Sequence, residues 1–291
     1  MYMQKIAIFG SYPFHLECVG FLLETFKDSI IDIYLKKTID KYNYVDYYST
    51  LYNFNIIYNN FSSKLINNYN IVFKLTSNDP CLEDKRVISI LHLAEKKTIC
   101  KSDKYISLTP YISGTKIFYI FPIYEPYKEI KINYANIVTM IGHYLNKYFD
   151  IDTINFIKQN SNYKFQFIIN GDNDYSRLNG LTNVSLHRNI SMTDMAKLIS
   201  ISKYILSKKY IHRDRFSGQL GLAMSFEKPL IVDLKTRIDY NLTGITFENQ
   251  YTDIGKLDDI SNETYNNLKK ELSVKKHIII NNNALLLKKL F

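Results

Sequence analysis

The feature that most constrains this chain is an alternation: short, wholly apolar runs that stop at a turn, each followed by a segment with helical spacing. Lys5–Phe9 (KIAIF) ends in Gly10 and Ser11, the form of a buried parallel strand feeding a tight turn. Residues 13–26 then place Leu16, Val19, Leu22, Leu23 and Phe26 at helical spacing. Further strands are predicted at 30–35, 55–58, 71–75, 87–91, 105–108 and 117–121, with a helical or loop segment at 44–52. Such alternation builds an open, mostly parallel sheet. The first turn lacks the three-glycine dinucleotide fingerprint, so a Rossmann dehydrogenase is not supported.

The segment FPIYEP, 121–126, has two prolines in six residues and reads as a linker. A second series follows it: a strand at 136–141 ending in Gly142 and His143, a helix at 151–157, and a strand at 165–169 ending in Asn170, Gly171 and Asp172. A short strand at 184–186 comes next, then a helix over 192–200 capped by Ser191 with Asp194, and a strand at 204–207. The expected organisation is two α/β domains, 1–126 and 127–260, with C-terminal helices over 261–291. Ligands of open α/β sheets bind at the carboxyl ends of strands. Two such sheets facing each other would gather Gly10, His92, Gly142, Gly171 and Ser217 around one cleft.

At 291 residues, 46% apolar and 22% charged, the chain can bury a full core. Its net charge of +9 favours an anionic partner such as a nucleotide diphosphate, nucleic acid or an anionic membrane surface. The lysines cluster only in short groups, Lys208 and Lys209 among them, which a solvated surface explains. Cys18, Cys81 and Cys100 are odd in number and widely spaced, a pattern that fits reduced thiols of a cytoplasmic protein better than a disulfide framework or a zinc site. No apolar run approaches a bilayer-spanning length and no signal peptide opens the chain, so an intracellular, cytoplasmic protein is expected.

The stretch RDRFSGQLGLAMSFEKPLIVD, 213–233, combines a charged entry, Ser217 and Gly218, an apolar helix with Leu220, Leu222, Ala223 and Phe226, then Lys228, Pro229 and a strand. A Ser-Gly pair at a helix mouth leaves backbone N–H groups at the positive end of the dipole, and glycine admits close approach of an anion. That suits a phosphate. The alternative is a loop that caps an ordinary core helix.

This stretch resembles the nucleotide-sugar signature of the GT-B glycosyltransferases, family-4-like members in particular. Asp214 falls on the pattern's first Glu and Lys228-Pro229 on its Lys-Pro, while Leu222 replaces a second Glu and Glu227 a Gly. VTMIGHYLNK, 138–147, is similar to the family's strand, Gly, Arg and downstream Lys, with His143 in place of the Arg. VISILHLAEK, 87–96, resembles the first-domain strand ending in a His that faces the donor sugar. The resemblance implies two Rossmann-like parallel-sheet domains facing across a cleft, with C-terminal helices crossing back to the first domain. It also implies donor binding by Ser217, Gly218, Gln219, Gly142, His143, Lys147, Asp214 and Arg215, with His92 on the sugar side.

His15, on the loop after the first strand, is a second catalytic candidate, because imidazole titrates near neutrality. Its alternative is an ordinary surface residue at a helix start. Gly10 and Ser11 form the loop beside it. No metal-ligand spacing is evident, so the expected reaction needs no cofactor beyond the nucleotide-diphosphate sugar itself. The acceptor, whether glycan, protein, lipid or modified nucleic acid, is open. Two other functions stay open: an inactive GT-B-like module that binds a sugar nucleotide or a protein, for which Leu222 and His143 speak, and a nucleotide-sugar 2-epimerase.

Overall fold

Runs such as IAIF and VISIL have no polar face to give to solvent, so they are stable only where both faces of a sheet are covered. The computed structural model describes residues 3–76, 81–92, 104–109, 111, 116–117, 136–142, 149–169, 174–208 and 217–289. In it these runs become β1 (Lys5–Phe9), β2 (Ile30–Tyr34), β3 (Asn55–Ile57), β4 (Ile71–Lys74), β5 (Val87–Leu91), β6 (Lys104–Ser107) and β7 (Lys116–Ile117). They form a seven-stranded sheet in the order β3, β2, β1, β4, β5, β6, β7, parallel throughout. Its helices include α1 (Val19–Thr25) and α2 (Tyr44–Ser49).

A second sheet of six parallel strands runs β10, β9, β8, β11, β12, β13. Its members are β8 (Ile137–Gly142), β9 (Lys164–Ile169), β10 (Val184–Arg188), β11 (Tyr204–Leu206), β12 (Leu230–Asp233) and β13 (Gly244–Phe247). With them go α3 (Ile151–Gln159), α4 (Met192–Ser200), α5 (Gly218–Ser225) and α6 (Leu234–Asp239), followed by α7 (Asn262–Lys288). The chain divides into one unit of Met1–Ile123 with Ile278–Phe291 and another containing Tyr124–His212 and Ser217–His277.

Each sheet reverses its strand order once. In the first, the chain builds outward from β1 through β2 to β3, then returns to lay β4 on β1's other side. In the second, β8, β9 and β10 go one way and β11 starts again on the far side of β8. A crevice forms at such a reversal because the connections leave the two central strands in opposite directions.

Polar side chains fix the second unit where apolar packing alone leaves freedom. Asp152 on α3 accepts hydrogen bonds from the backbone N–H of Tyr251 at 2.8 Å and of Thr252 at 3.2 Å, and from the Thr252 hydroxyl at 2.7 Å. Gln166 on β9 donates to Thr139 Oγ1 on β8 and to the Leu198 carbonyl on α4. Around them Phe156, Phe165, Phe167, Tyr204 and Tyr251 form an aromatic core.

Four expectations need correction. Residues 13–26 open as a 3-10 turn over Pro13–Cys18 and become α-helical only from Val19, a common use of 3-10 geometry at a helix start. The C-terminal helices are one helix of 27 residues, because no glycine or proline interrupts residues 262–288. The helix α6, short and capped by Asp233 accepting from Thr236 N, escaped the periodicity of the sequence. Finally, Cys81 is disulfide-bonded, while Cys18 is free and buried. Cysteine spacing does not reveal a pairing set by proximity in space, and the argument from reduced thiols to compartment loses its support. No helix among the described residues is long and apolar enough to cross a membrane.

Candidate functional site

In the first unit the strand reversal is closed around Leu75. Gly10 follows β1, and a Cβ on it would lie 2.9 Å from Leu75 Cβ, so only glycine allows the ends of β1 and β4 to approach this closely. Ser11 beside it is exposed. His92, immediately past β5, is buried and bonds through Nε2 to the Leu75 carbonyl at 2.9 Å. A carbonyl only accepts, so Nε2 carries the proton and Nδ1 the lone pair.

His15 comes to the same place from the 3-10 turn. Its ring stacks on His92 with centroids 3.7 Å apart and planes 4° from parallel, and Tyr12 stacks on its other side at 5.5 Å. Burial, reinforced by the neighbouring His92, lowers the His15 pKa to about 2, and His15 Nδ1 is enclosed without a hydrogen-bond partner. Burial lowers His92 to about 4 against the opposing pull of the Leu75 carbonyl. Both imidazoles are therefore neutral at neutral pH. Glu17, half-buried on the same turn, is raised by burial to about 8 and stays largely protonated there. The turn thus offers a neutral imidazole lone pair and a carboxylic acid, groups able to take and to give a proton.

In the second unit the reversal lies between β8 and β11. Gly142 ends β8 at φ +125°, a conformation side chains rarely tolerate. Past β11, Lys208 donates its backbone N–H to Gln219 Oε1 at 3.2 Å, and Gln219 Nε2 donates to the Ile141 carbonyl. Gln219 is buried, so its amide braces both strand ends instead of facing a ligand. The helix α5 starts at the same point. Ser217 is its N-cap in extended conformation, its side chain makes no capping bond, and no acid lies in the first turn. A helix start of this kind has no side chain of its own first turn to offset the positive end of the dipole.

Two departures from the glycosyltransferase pattern now have a structural account. Glu227 stands at φ +52°, in the left-handed region that ends a helix, which is why the pattern favours Gly there. Lys228 is buried, with Nζ donating to the Ser200 carbonyl at 2.7 Å. Burial, then the charge of Lys269, lower its pKa to about 7 against the pull of Glu227. It braces the turn after α5. Leu222 is a core side chain.

The structure thus brings Gly10, His15 and His92 together at one reversal, and Gly142, Ser217, Gly218 and Gln219 at the other. His143, Lys147, Asp214 and Arg215 lie outside the described residues, as does Gly171. Lys208 was passed over in the sequence. Its position two residues past β11, the strand that neighbours β8, was the available signal, hidden by a lysine-rich composition.

No family profile and no curated protein matches this chain. Among solved structures it is similar to AviGT4, a glycosyltransferase involved in avilamycin A biosynthesis, with TM-score 0.65 and 7% identity over 99% of this chain and 97% of that one. It is also similar to UDP-GlcNAc 2-epimerase from Neisseria meningitidis bound to UDP-GlcNAc, with TM-score 0.57 and 13% identity over 99% of both chains. Arabidopsis thaliana UGT89C1 complexed with UDP-L-rhamnose gives TM-score 0.56 and 10% identity over 100% of both. With its pair of parallel, Rossmann-like sheets, the chain has the GT-B fold.

Proposed function

We propose that this protein is a glycosyltransferase that moves a sugar from a nucleoside-diphosphate donor to an acceptor hydroxyl without a metal ion. The observation that carries the reading is the convergence of the expected residues on the strand-order reversal of each sheet, the place where α/β folds bind ligands.

In this reading the second domain, 127–260, holds the donor. Its diphosphate rests on the backbone N–H groups of Ser217 and Gly218, at the end of β8 where Gly142 stands. His143, Lys147, Asp214 and Arg215 join it on the strength of the family resemblance. The first domain, 1–126, presents the acceptor to the Gly10-Ser11 loop, His15 and His92. As the acceptor oxygen bonds to the sugar's anomeric carbon, the bond from that carbon to the diphosphate breaks. The acceptor's proton passes to an imidazole lone pair, which neutrality at working pH keeps available.

The test is a thermal-shift screen against UDP, GDP, ADP, CMP, TDP and their sugar conjugates, with Mg²⁺ or with EDTA. A ligand at a hundred times its dissociation constant adds about 2.7 kcal/mol to stability. The expected result is a shift with one sugar nucleotide, equal in both conditions and absent in Ser217→Asp. No shift with any of them rejects the reading. The likeness to UDP-GlcNAc 2-epimerases supports a second reading on the same fold. Conversion of UDP-GlcNAc to its 2-epimer with no acceptor present would favour it.

A further inference from the structure

We infer that Lys208 is a binding residue for the donor's diphosphate, an inference that rests on the nucleoside-diphosphate reading above. Lys208 follows β11, and its Nζ lies 3.7 Å from the point a Cβ on Gly142 would occupy, its Cε 3.9 Å from the same point. The ammonium is thus carried across the end of β8, over the one residue there that has no side chain. Half-buried and anchored through its own N–H to Gln219 Oε1, it is not a freely solvated surface lysine.

Two contributions to anion binding meet at this reversal, where the absent side chain of Gly142 lets Lys208 Nζ and Gln219 Nε2 come close over the strand end. The mouth of α5, whose N-cap side chain makes no capping bond, supplies the positive end of the helix dipole. Lys208 supplies a full positive charge. Gln219, one residue into α5, holds Ile141 and Lys208 together and so couples their positions to the helix mouth. A lysine ammonium is a point charge with three donors, so it follows a diphosphate whose charge grows as the sugar leaves.

The experiment is calorimetric titration of wild type, Lys208→Met, Lys208→Arg and Ser217→Asp with UDP, GDP, ADP and TDP, each paired with its nucleoside. Wild type is expected to bind one diphosphate well above its nucleoside. Lys208→Met should weaken the diphosphate by about 10- to 100-fold, leave the nucleoside and the melting temperature unchanged, and flatten the salt dependence. Lys208→Arg should recover most of the loss. Unchanged diphosphate affinity in Lys208→Met, with Ser217→Asp impaired, would overturn the role of Lys208 and leave the reading standing. Equal loss of diphosphate and nucleoside with a lowered melting temperature would also overturn it, since that marks a structural lysine. Wild type that binds no diphosphate overturns both.

Discussion

The imidazoles of His15 and His92 lie face to face, 3.7 Å between centroids and 4° from parallel, though 77 positions separate them in the chain. Neutral rings can stack so closely. Two unit charges about 4 Å apart repel by about 4 kcal/mol at an effective dielectric of 20, so double protonation is incompatible with this pairing.

Acid should therefore destabilise the protein through this pair. Both histidines bind protons less tightly folded than unfolded, with pKa values of about 2 and about 4 against an ordinary 6.5. Between those limits the unfolded chain holds more protons, so stability is complete above the ordinary imidazole range and falls as pH drops below it. The slope is about 1.4 kcal/mol per pH unit for each imidazole. Urea melts from about pH 7 to about pH 5 should show this slope in wild type, offset in part by Glu17, whose pKa raised to about 8 works in the opposite direction, and the histidine share should disappear in His15→Phe/His92→Phe. Retention of the full slope in the double variant would assign it elsewhere.

Gln219→Ala should cost about 2–4 kcal/mol, because it strands the Ile141 carbonyl and the Lys208 N–H in buried surroundings. Denaturant unfolding measures the loss, and amide exchange should locate it at Lys208. A change within about 0.5 kcal/mol, the range of ordinary surface substitutions, would show that the brace is dispensable.

Glu227→Gly should leave stability unchanged or raise it by about 0.5–1 kcal/mol. Relief of the left-handed backbone at φ +52° outweighs loss of the 3.5 Å ion pair with Lys276. Glu227→Ala, which loses the same pair and keeps the strain, is the control. A Gly variant no more stable than the Ala variant refutes the backbone argument.

Asp152→Ala should cost about 3 kcal/mol or more, since it leaves two backbone N–H groups at Tyr251 and Thr252 without their acceptor. Thermal unfolding compares it with Asp152→Asn, whose amide oxygen keeps part of the set. Equal melting temperatures for Asp152→Ala and wild type would contradict it.

The strands were legible because β1, β4, β5 and β8 bury nearly every residue and so are written mostly with apolar side chains, Lys74, Ser89 and Thr139 being buried exceptions. Gly10, Gly142 and Ser217 were legible for a related reason: glycine and serine at strand ends and helix mouths have few other uses. The stack of His15 on His92 was not legible, since no periodicity links a turn after β1 to the end of β5. Nor was the brace at Gln219, where an amide read as a ligand contact is spent on the two strand ends beside it. Lys208 was lost among 37 basic residues, most of which need no explanation beyond solubility. The bond at Cys81 follows from folded proximity alone, and an odd cysteine count argued against it.

In each unit a side-chain N–H from a later element takes a carbonyl at a strand's carboxyl end: His92 takes Leu75, Gln219 takes Ile141. The carboxyl end of a parallel strand is where the ladder stops and backbone would otherwise fray. These clamps hold the ends of β4 and β8 in place independently of any ligand. On the reading proposed above, an anion docking beside Ile141 would spend little of its contact energy on shaping that strand end, so that more of it would appear as affinity.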